Sequence, residues 1–328
     1  MSAYPKPDEP KVNNPAGLVL RYQANVRLGA DFYFPEEFAQ LKRLLTAGLM
    51  VENRTAANED IARAITLFET VEAHYESRVS EYRGLLEGFI SQALHWLSQA
   101  GASAEQQRQL EQARCRLVFA NPAAALSQLR HVLDEFLAHR LLAATRHAGD
   151  RLQLISSLTA RGLPLSRLHA FLDKTPPTTR QYRVLALMPE HTLTLLAEAL
   201  GVAGWHPGAS AGALLVRAVQ DRQRVAYLVV MDSTGEGWGE ILERHPHWDG
   251  GFVALDSTGQ DALRSEIVLV EHLERLVPHL RGELLLGMVG EDVLTGYPKL
   301  VEILPRFALP TDGESARRFV HRMIEGHD

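Results

Sequence analysis

The spacing of apolar residues divides the chain into two contrasting parts. Up to about residue 173, apolar positions recur every three or four residues, which is the spacing of amphipathic helices. The longest such stretch follows Asn58, a suitable N-cap, and runs to near Gly101 with a drift toward a heptad repeat. Further helices are predicted from Pro35 onward and over residues 103–119, 122–147, 151–158 and 166–172. We therefore predict a helical bundle over residues 16–173.

Beyond residue 180 the pattern changes to short apolar runs that are bounded by turn residues and alternate with helical segments. This alternation is typical of an α/β domain built on a parallel sheet. The predicted strands are Tyr182–Leu187, Val225–Met231, Gly251–Leu255 and Glu283–Met288. Paired prolines among small polar residues predict a linker over 174–180. The α/β domain is then expected over 181–310, with a basic amphipathic C-terminal helix over 311–328.

Composition narrows the class of protein. The formal net charge of −6 disfavours a protein that coats nucleic acid or anionic membrane. Residues 1–15 are polar and rich in proline, so we expect a disordered tail without the apolar segment of a signal peptide. No apolar run is long enough to span a bilayer, and the single cysteine, Cys115, cannot form an intrachain disulfide. These features predict a soluble cytoplasmic protein.

The second part resembles a response-regulator receiver domain. The similarity lies in four segments, which resemble the first strand, first helix, third strand and fourth strand of that family: residues 183–191, 193–205, 225–232 and 251–258. It implies a doubly wound, flavodoxin-like parallel sheet. It also implies that Asp232 stands where receivers carry the aspartate that accepts a phosphoryl group. Ser257 or Thr258 would stand where a hydroxyl senses the phosphate.

The sequence departs from the receiver pattern at its metal site. Met188 and Pro189 stand where the family has an acidic pair, and Glu190 is displaced by one or two positions. The lysine expected after the fifth strand is absent as well. Because phosphoryl transfer to a carboxylate needs a magnesium ion held by several oxygens, we predict that this domain is not switched by phosphorylation. Magnesium is expected as a cofactor only if Asp232 is a working acceptor.

A pocket, if the α/β domain has one, is expected at the carboxyl ends of the strands. The residues that would line it are Asp232, Glu190, Glu236, Ser257 and Thr258. The glycine-rich segment 232–239 is interpreted as a flexible loop, since it lacks the lysine of a P-loop. His245-Pro246-His247 is more typical of an exposed turn than of a metal site. No catalytic residue and no metal ligand is assigned.

Four hypotheses follow. The first is a non-catalytic signalling or scaffold protein, in which the helical part forms a homodimer or binds a protein partner and the pseudo-receiver is a contact module. The second is a phosphoacceptor regulator that uses Asp232. The third is a nucleotide-binding protein or enzyme at the strand-end crevice. The fourth is a DNA-binding regulator, which rests on an outline of a helix-turn-helix over 158–168 and is opposed by the acidity of the chain. Nucleic acid is therefore not an expected partner.

Overall fold

The fold is described by a computed structural model. The described residues are 15–50, 54–118, 122–145, 155–176, 178, 180–202, 212–220, 224–235, 237–256, 261–282, 284–289 and 293–325. Within them, no helix combines the length and the apolar character that crossing a membrane would require.

Helices dominate the first part of the chain and alternate with strands in the second. The helices within the described residues are α1 Pro15–Arg27, α2 Ala30–Tyr33, α3 Pro35–Met50, α4 Arg54–Gln99, α5 Ala104–Val118, α6 Pro122–Thr145, α7 Leu165–Lys174, α8 Glu190–Ala199, α9 Gly237–Arg244, α10 Ala262–Leu276, α11 Pro298–Ile303 and α12 Gly313–Glu325. The strands are β1 Ser157–Pro164, β2 Gln181–Met188, β3 Gly212–Gln220, β4 Arg224–Asp232, β5 Gly250–Asp256, β6 Leu284–Val289 and β7 Arg306–Phe307. Short 3-10 helices cover Val277–His279 and Val293–Gly296.

The described residues divide into two compact units. The first runs to Gln92 and resumes over Glu111–Leu126, whereas the second contains Ala93–Leu110 and the chain from Ser127 onward. The long helix α4 therefore contributes to both units. Strand β1 and helix α7 precede the linker predicted at 174–180, yet they belong to the second unit.

The first unit is a helical bundle with an aromatic core. Phe38 of α3 and Phe68 of α4 are buried, and the ring of Tyr33 makes edge-on contacts with the rings of Tyr75 and Tyr82. The guanidinium of Arg21 lies over the Phe68 ring, 4.7 Å from its centroid. The apolar face that the spacing predicted on α4 is thus buried in the monomer, as expected of a bundle.

The second unit contains a seven-stranded mixed sheet with the order β1-β3-β4-β2-β5-β6-β7. Strands β4, β2, β5, β6 and β7 run parallel, and β1 and β3 join the β4 edge in antiparallel pairings. Every residue of Val184–Met188 in β2 is buried. Such a run is typical of a strand covered on both faces.

Helices lie on both faces of this sheet. On one face, α8 and α12 share an apolar core with alternate residues of β2, β3 and β4. Phe319 of α12 packs edge-on against Phe252 of β5, with 5.1 Å between the ring centroids. On the other face, Phe171 of α7 contacts Tyr227 of β4, and Leu276 of α10 lies against Gly251 of β5. The basic C-terminal helix therefore packs on the sheet of its own chain.

Buried polar contacts hold helix α6 against helices α10 and α11 of the second unit. Arg130 donates from Nε and Nη2 to the two carboxylate oxygens of Glu266 on α10, at 2.9 and 2.6 Å. Asp134 accepts hydrogen bonds from the backbone amides of Lys299 and Leu300 at 3.0 and 2.9 Å. These amides lie in the first turn of α11, where no intrahelical acceptor exists, so a carboxylate from α6 caps that helix.

The four predicted strands are confirmed as β2, β4, β5 and β6, and the prediction of a helical part followed by an α/β part is correct at that level. The predicted parallel sheet is formed by β4, β2, β5, β6 and β7, but β1 and β3 extend it with antiparallel pairs that were not predicted, and the finer prediction of a receiver fold is not confirmed. The predicted helix over 151–158 is not formed at residues 155–158. Residues 151–154 lie outside the described residues, and Ser157 begins β1, which pairs with β3 along its whole length. Pairing with a distant strand overrides the local helical spacing here.

The extended conformation of β1 also contradicts the helix-turn-helix outline over residues 158–168. Residues 158–164 are extended, and only α7 on their C-terminal side is helical. The elbow on which the DNA-binding hypothesis rested is therefore not formed. The predicted N-cap at Asn58 is wrong as well, since α4 begins at Arg54. Strands β3 and β7 were not predicted.

Candidate functional site

Two of the five residues predicted to form a pocket, Asp232 and Glu190, lie at one edge of the sheet. Asp232 is the last residue of β4, and Glu190 is the first residue of α8, which follows β2. Since β2 and β4 are adjacent and parallel, both residues are at the carboxyl-end edge. Glu236, Ser257 and Thr258 lie outside the described residues.

The carboxylate of Asp232 closes its own turn. Its Oδ1 accepts hydrogen bonds from the backbone amide and the Oγ1 hydroxyl of Thr234, both at 2.9 Å. An aspartate that bonds the backbone two residues later is a common way to stabilise a tight turn. Asp232 therefore has a structural role in the turn between β4 and α9.

The neighbour of Asp232 on the next strand is apolar. In the parallel pairing of β2 and β4, Asp232 is aligned with Met188, whose side chain is fully buried. The amide of Ser233 donates to the Met188 carbonyl at 2.9 Å and extends the pairing by one residue. Glu190 begins α8 with an exposed side chain, where a negative charge is favoured by the helix dipole.

An acid and a histidine that were not among the predicted site residues meet at this edge. His191 Nδ1 lies 3.7 Å from Asp256 Oδ2, and His191 Nε2 lies 3.1 Å from the Thr192 hydroxyl. Asp256 ends β5, the neighbour of β2 on the side away from β4. Asp256 directly follows a predicted strand, so the same rule that selected Asp232 could have found it.

The position of this pair follows from the topology. From β2 the chain proceeds through α8 to β3 and β4 on one side of β2, whereas from β5 it proceeds through α10 to β6 on the other side. Ligands in open α/β sheets bind outside the carboxyl ends of the strands where the direction of winding changes. The crevice between β2 and β5 is such a point, and His191 and Asp256 lie at it.

A buried histidine holds the loop that follows Asp232. His272 of α10 is 5% exposed, and its Nε2 lies 3.0 Å from the carbonyl oxygen of Ser233, which makes Nε2 the donor. The Trp238 ring lies edge-on to the imidazole, with 5.2 Å between the centroids. Burial lowers the pKa of His272 to about 4, although the bond to Ser233 partly opposes the shift. The imidazole is therefore neutral near pH 7.

A second histidine cluster joins α7 to the end of α9. Nδ1 of His169 and Nε2 of His245 are 3.2 Å apart, and both side chains are buried. His169 Nε2 lies 3.2 Å from Glu240, and Asp173 pairs with Arg244 at 2.6 Å. Burial lowers the pKa of His245, with Asp173 acting in the opposite direction. A single hydrogen bond, donated by one of these two nitrogens and accepted by the other, gives both of them a partner.

The predicted turn at His245-Pro246-His247 is only partly exposed. His245 is buried against His169, whereas His247 faces solvent and Trp248 is fully buried. Within the part of the chain that the structure describes, no three histidine, cysteine, aspartate or glutamate side chains are grouped so that they could hold a metal ion. Cys115 on α5 is a free, exposed thiol.

Comparison with known proteins gives no family for this chain. None of the models of protein families matches it, and a search of curated proteins finds no similar sequence. The function is therefore argued from the geometry of the chain alone.

Proposed function

We propose that this chain is a non-catalytic signalling or scaffold protein. Its helical part forms a homodimer or binds a protein partner, and its α/β part is a pseudo-receiver that serves as a contact module. The proposal depends mainly on the surroundings of Asp232, whose carboxylate is bonded to Thr234 and whose neighbour on β2 is the buried Met188.

The chemistry of phosphoryl transfer explains why these surroundings matter. A carboxylate that accepts a phosphoryl group needs a magnesium ion beside it, and magnesium requires oxygen ligands in octahedral geometry. The thioether of Met188 offers no oxygen. Both hydrogen bonds from Thr234 are accepted by Oδ1 of Asp232, and phosphorylation at Oδ2 would weaken them, because Oδ1 would become a neutral carbonyl oxygen.

The strand order supports a receiver-like interpretation of the α/β part, but it moves the position of the acceptor aspartate from Asp232 to Asp256. With β1 and β3 left aside, the parallel strands counted from β2 follow the order 2-1-3-4-5. Flavodoxin-like sheets share this order. In that count β4 is the second strand and β5 the third, so the aspartate at the end of the third strand is Asp256.

This count favours one second candidate, a phosphoacceptor regulator that uses Asp256. Nδ1 of His191 lies 3.7 Å from Oδ2 of Asp256, so an imidazole, which can carry a positive charge, lies beside the carboxylate. Magnesium is a cofactor of the protein only if Asp256 or Asp232 accepts a phosphoryl group.

Incubation with acetyl phosphate and magnesium separates the two candidates. We expect no mass increase of one phosphoryl group in the intact protein, because among the described residues neither Asp232 nor Asp256 belongs to a group of three side chains that could hold a metal ion. The measurement is intact-mass spectrometry of the wild-type chain and of Asp232→Asn and Asp256→Asn.

If an adduct is found, the two variants identify the aspartate that carries it. An adduct that disappears only in Asp256→Asn would replace the scaffold proposal with the second candidate. An adduct that disappears only in Asp232→Asn would favour the hypothesis of a phosphoacceptor regulator that uses Asp232. A known active receiver, treated in parallel, serves as the positive control for the reagent.

A further inference from the structure

An apolar groove with arginines at its rim lies between two helices of the first unit. It has a volume of about 640 Å³. The residues that line it include Arg43, Leu44, Ala62, Arg63, Thr66 and Leu67. We refer to it as the α3–α4 groove. Pockets of 300 to about 1,000 Å³ are large enough to enclose several side chains of a ligand.

The groove follows from the spacing of its residues. Gln40 lies three and four residues before Arg43 and Leu44 on α3, and Ala62 and Arg63 each lie four residues before Thr66 and Leu67 on α4, so each helix presents one strip of its surface. Leu44 and Leu67 are half-buried, and Ala62 is exposed. The floor is therefore apolar.

The two charged side chains among the described residues that line the groove have the same sign. Arg43 and Arg63 are both exposed, one on each wall. The Arg43 Nε makes a long bond of 3.4 Å to the Ala39 carbonyl of its own helix. This contrasts with the net charge of −6 of the whole chain. A local basic rim on an acidic protein selects acidic ligands.

We propose that the α3–α4 groove binds an acidic amphipathic helix of a partner protein. Apolar side chains at positions i, i+3 or i+4, and i+7 of that helix fill the groove, and its flanking glutamates or aspartates pair with Arg43 and Arg63. This is the arrangement in which an amphipathic helix binds to a hydrophobic groove. The inference deepens the scaffold function proposed above and rests on it, since it names the chemistry of the partner.

A synthetic peptide tests the inference directly. The probe is an 18-residue labelled helix with leucines on one face and glutamates on both flanks, titrated with the full-length chain and followed by fluorescence anisotropy. We expect saturable binding with a dissociation constant on the order of micromolar, weakening as salt is added. A peptide with lysines in place of the glutamates is expected not to bind.

Two variants and one control locate the site. Arg43→Glu combined with Arg63→Glu is expected to weaken binding at least about tenfold through like-charge repulsion. Ala62→Trp is expected to abolish binding by filling the groove without changing its charge. Arg114→Glu, at an exposed position of α5 in the same unit, is the matched control and should bind as the wild type does.

Three results would overturn the inference: no saturable binding to the folded wild-type chain, equal binding of the lysine peptide, or undiminished binding to Ala62→Trp. Circular dichroism confirms that each variant is folded. These results are independent of the acetyl phosphate experiment. If the peptide does not bind and no phosphoryl adduct forms, only the proposed binding of a partner helix in the α3–α4 groove is contradicted. If the peptide binds and an adduct forms, the proposal of a non-catalytic scaffold is contradicted.

Discussion

Replacing Arg130 with methionine is expected to lower the free energy of unfolding of the second unit by about 3–5 kcal/mol. Glu266 is 1% exposed, and its two carboxylate oxygens accept hydrogen bonds from Arg130. Tyr297, fully buried, donates its hydroxyl to the same carboxylate at 2.7 Å. Removing the guanidinium leaves a buried negative charge without a countercharge. Urea denaturation followed by circular dichroism measures the loss.

Two further variants test whether the charge is the cause. Adding Glu266→Gln to Arg130→Met removes the unpaired charge and keeps an oxygen for Tyr297, so most of the lost stability should return. Lys299→Met breaks the exposed pair with Glu135, whose atoms are 2.6 Å apart, and should cost less than about 1 kcal/mol. If Arg130→Met is no more harmful than Lys299→Met, the buried pair does not fasten α6 as described.

The second large effect is a loss of stability below neutral pH caused by His272. Its pKa is about 4 in the folded chain against 6.5 for an ordinary histidine. As the pH falls below 6.5, the unfolded chain takes up a proton at this site and the folded chain does not. The contribution of neutral His272 is therefore complete above pH 6.5 and lost as the pH falls to about 4. The loss amounts to about 3 kcal/mol at most.

His272→Gln isolates this contribution from the other titrating groups, because its amide can still donate to Ser233. Denaturation at pH 7 and at pH 4.5 should show a smaller difference in the free energy of unfolding for the variant than for the wild type. Burial also lowers the pKa of His245 and His279, so part of the pH dependence should persist in the variant. The same pH dependence in both proteins would mean that His272 is protonated in the folded state.

The strands that could be predicted from the sequence are those whose apolar pattern lies within a single short segment. Strand β2 and the two parallel strands beside it, β4 and β5, are buried on both faces, so each is an uninterrupted apolar run that can be recognised without its neighbours. Strand β1 has no such run. Its residues are exposed or half-buried, and its conformation depends on pairing with β3, whose partner residues lie 48 to 62 positions later. A contact at that separation leaves little trace in local spacing.

The candidate site could be predicted only in part for the same reason. Asp232 was expected at a strand end, and it lies there. Its neighbours depend on strand order, which spacing does not determine. The order sets Met188 beside Asp232 and brings His191 to Asp256, so these two contacts became apparent only in three dimensions. The buried pair of Arg130 and Glu266 joins residues 136 positions apart and was equally invisible.

The central claim is that the chain assembles without a phosphorylation switch. Light scattering behind a sizing column tests it most directly, with the chain run with and without magnesium and beryllofluoride, which mimics a phosphorylated carboxylate. The scaffold proposal predicts a dimer of constant mass under both conditions. A change of mass with the mimic would mean that an aspartate at the strand ends is a working acceptor, and a strict monomer under both conditions would contradict the homodimer.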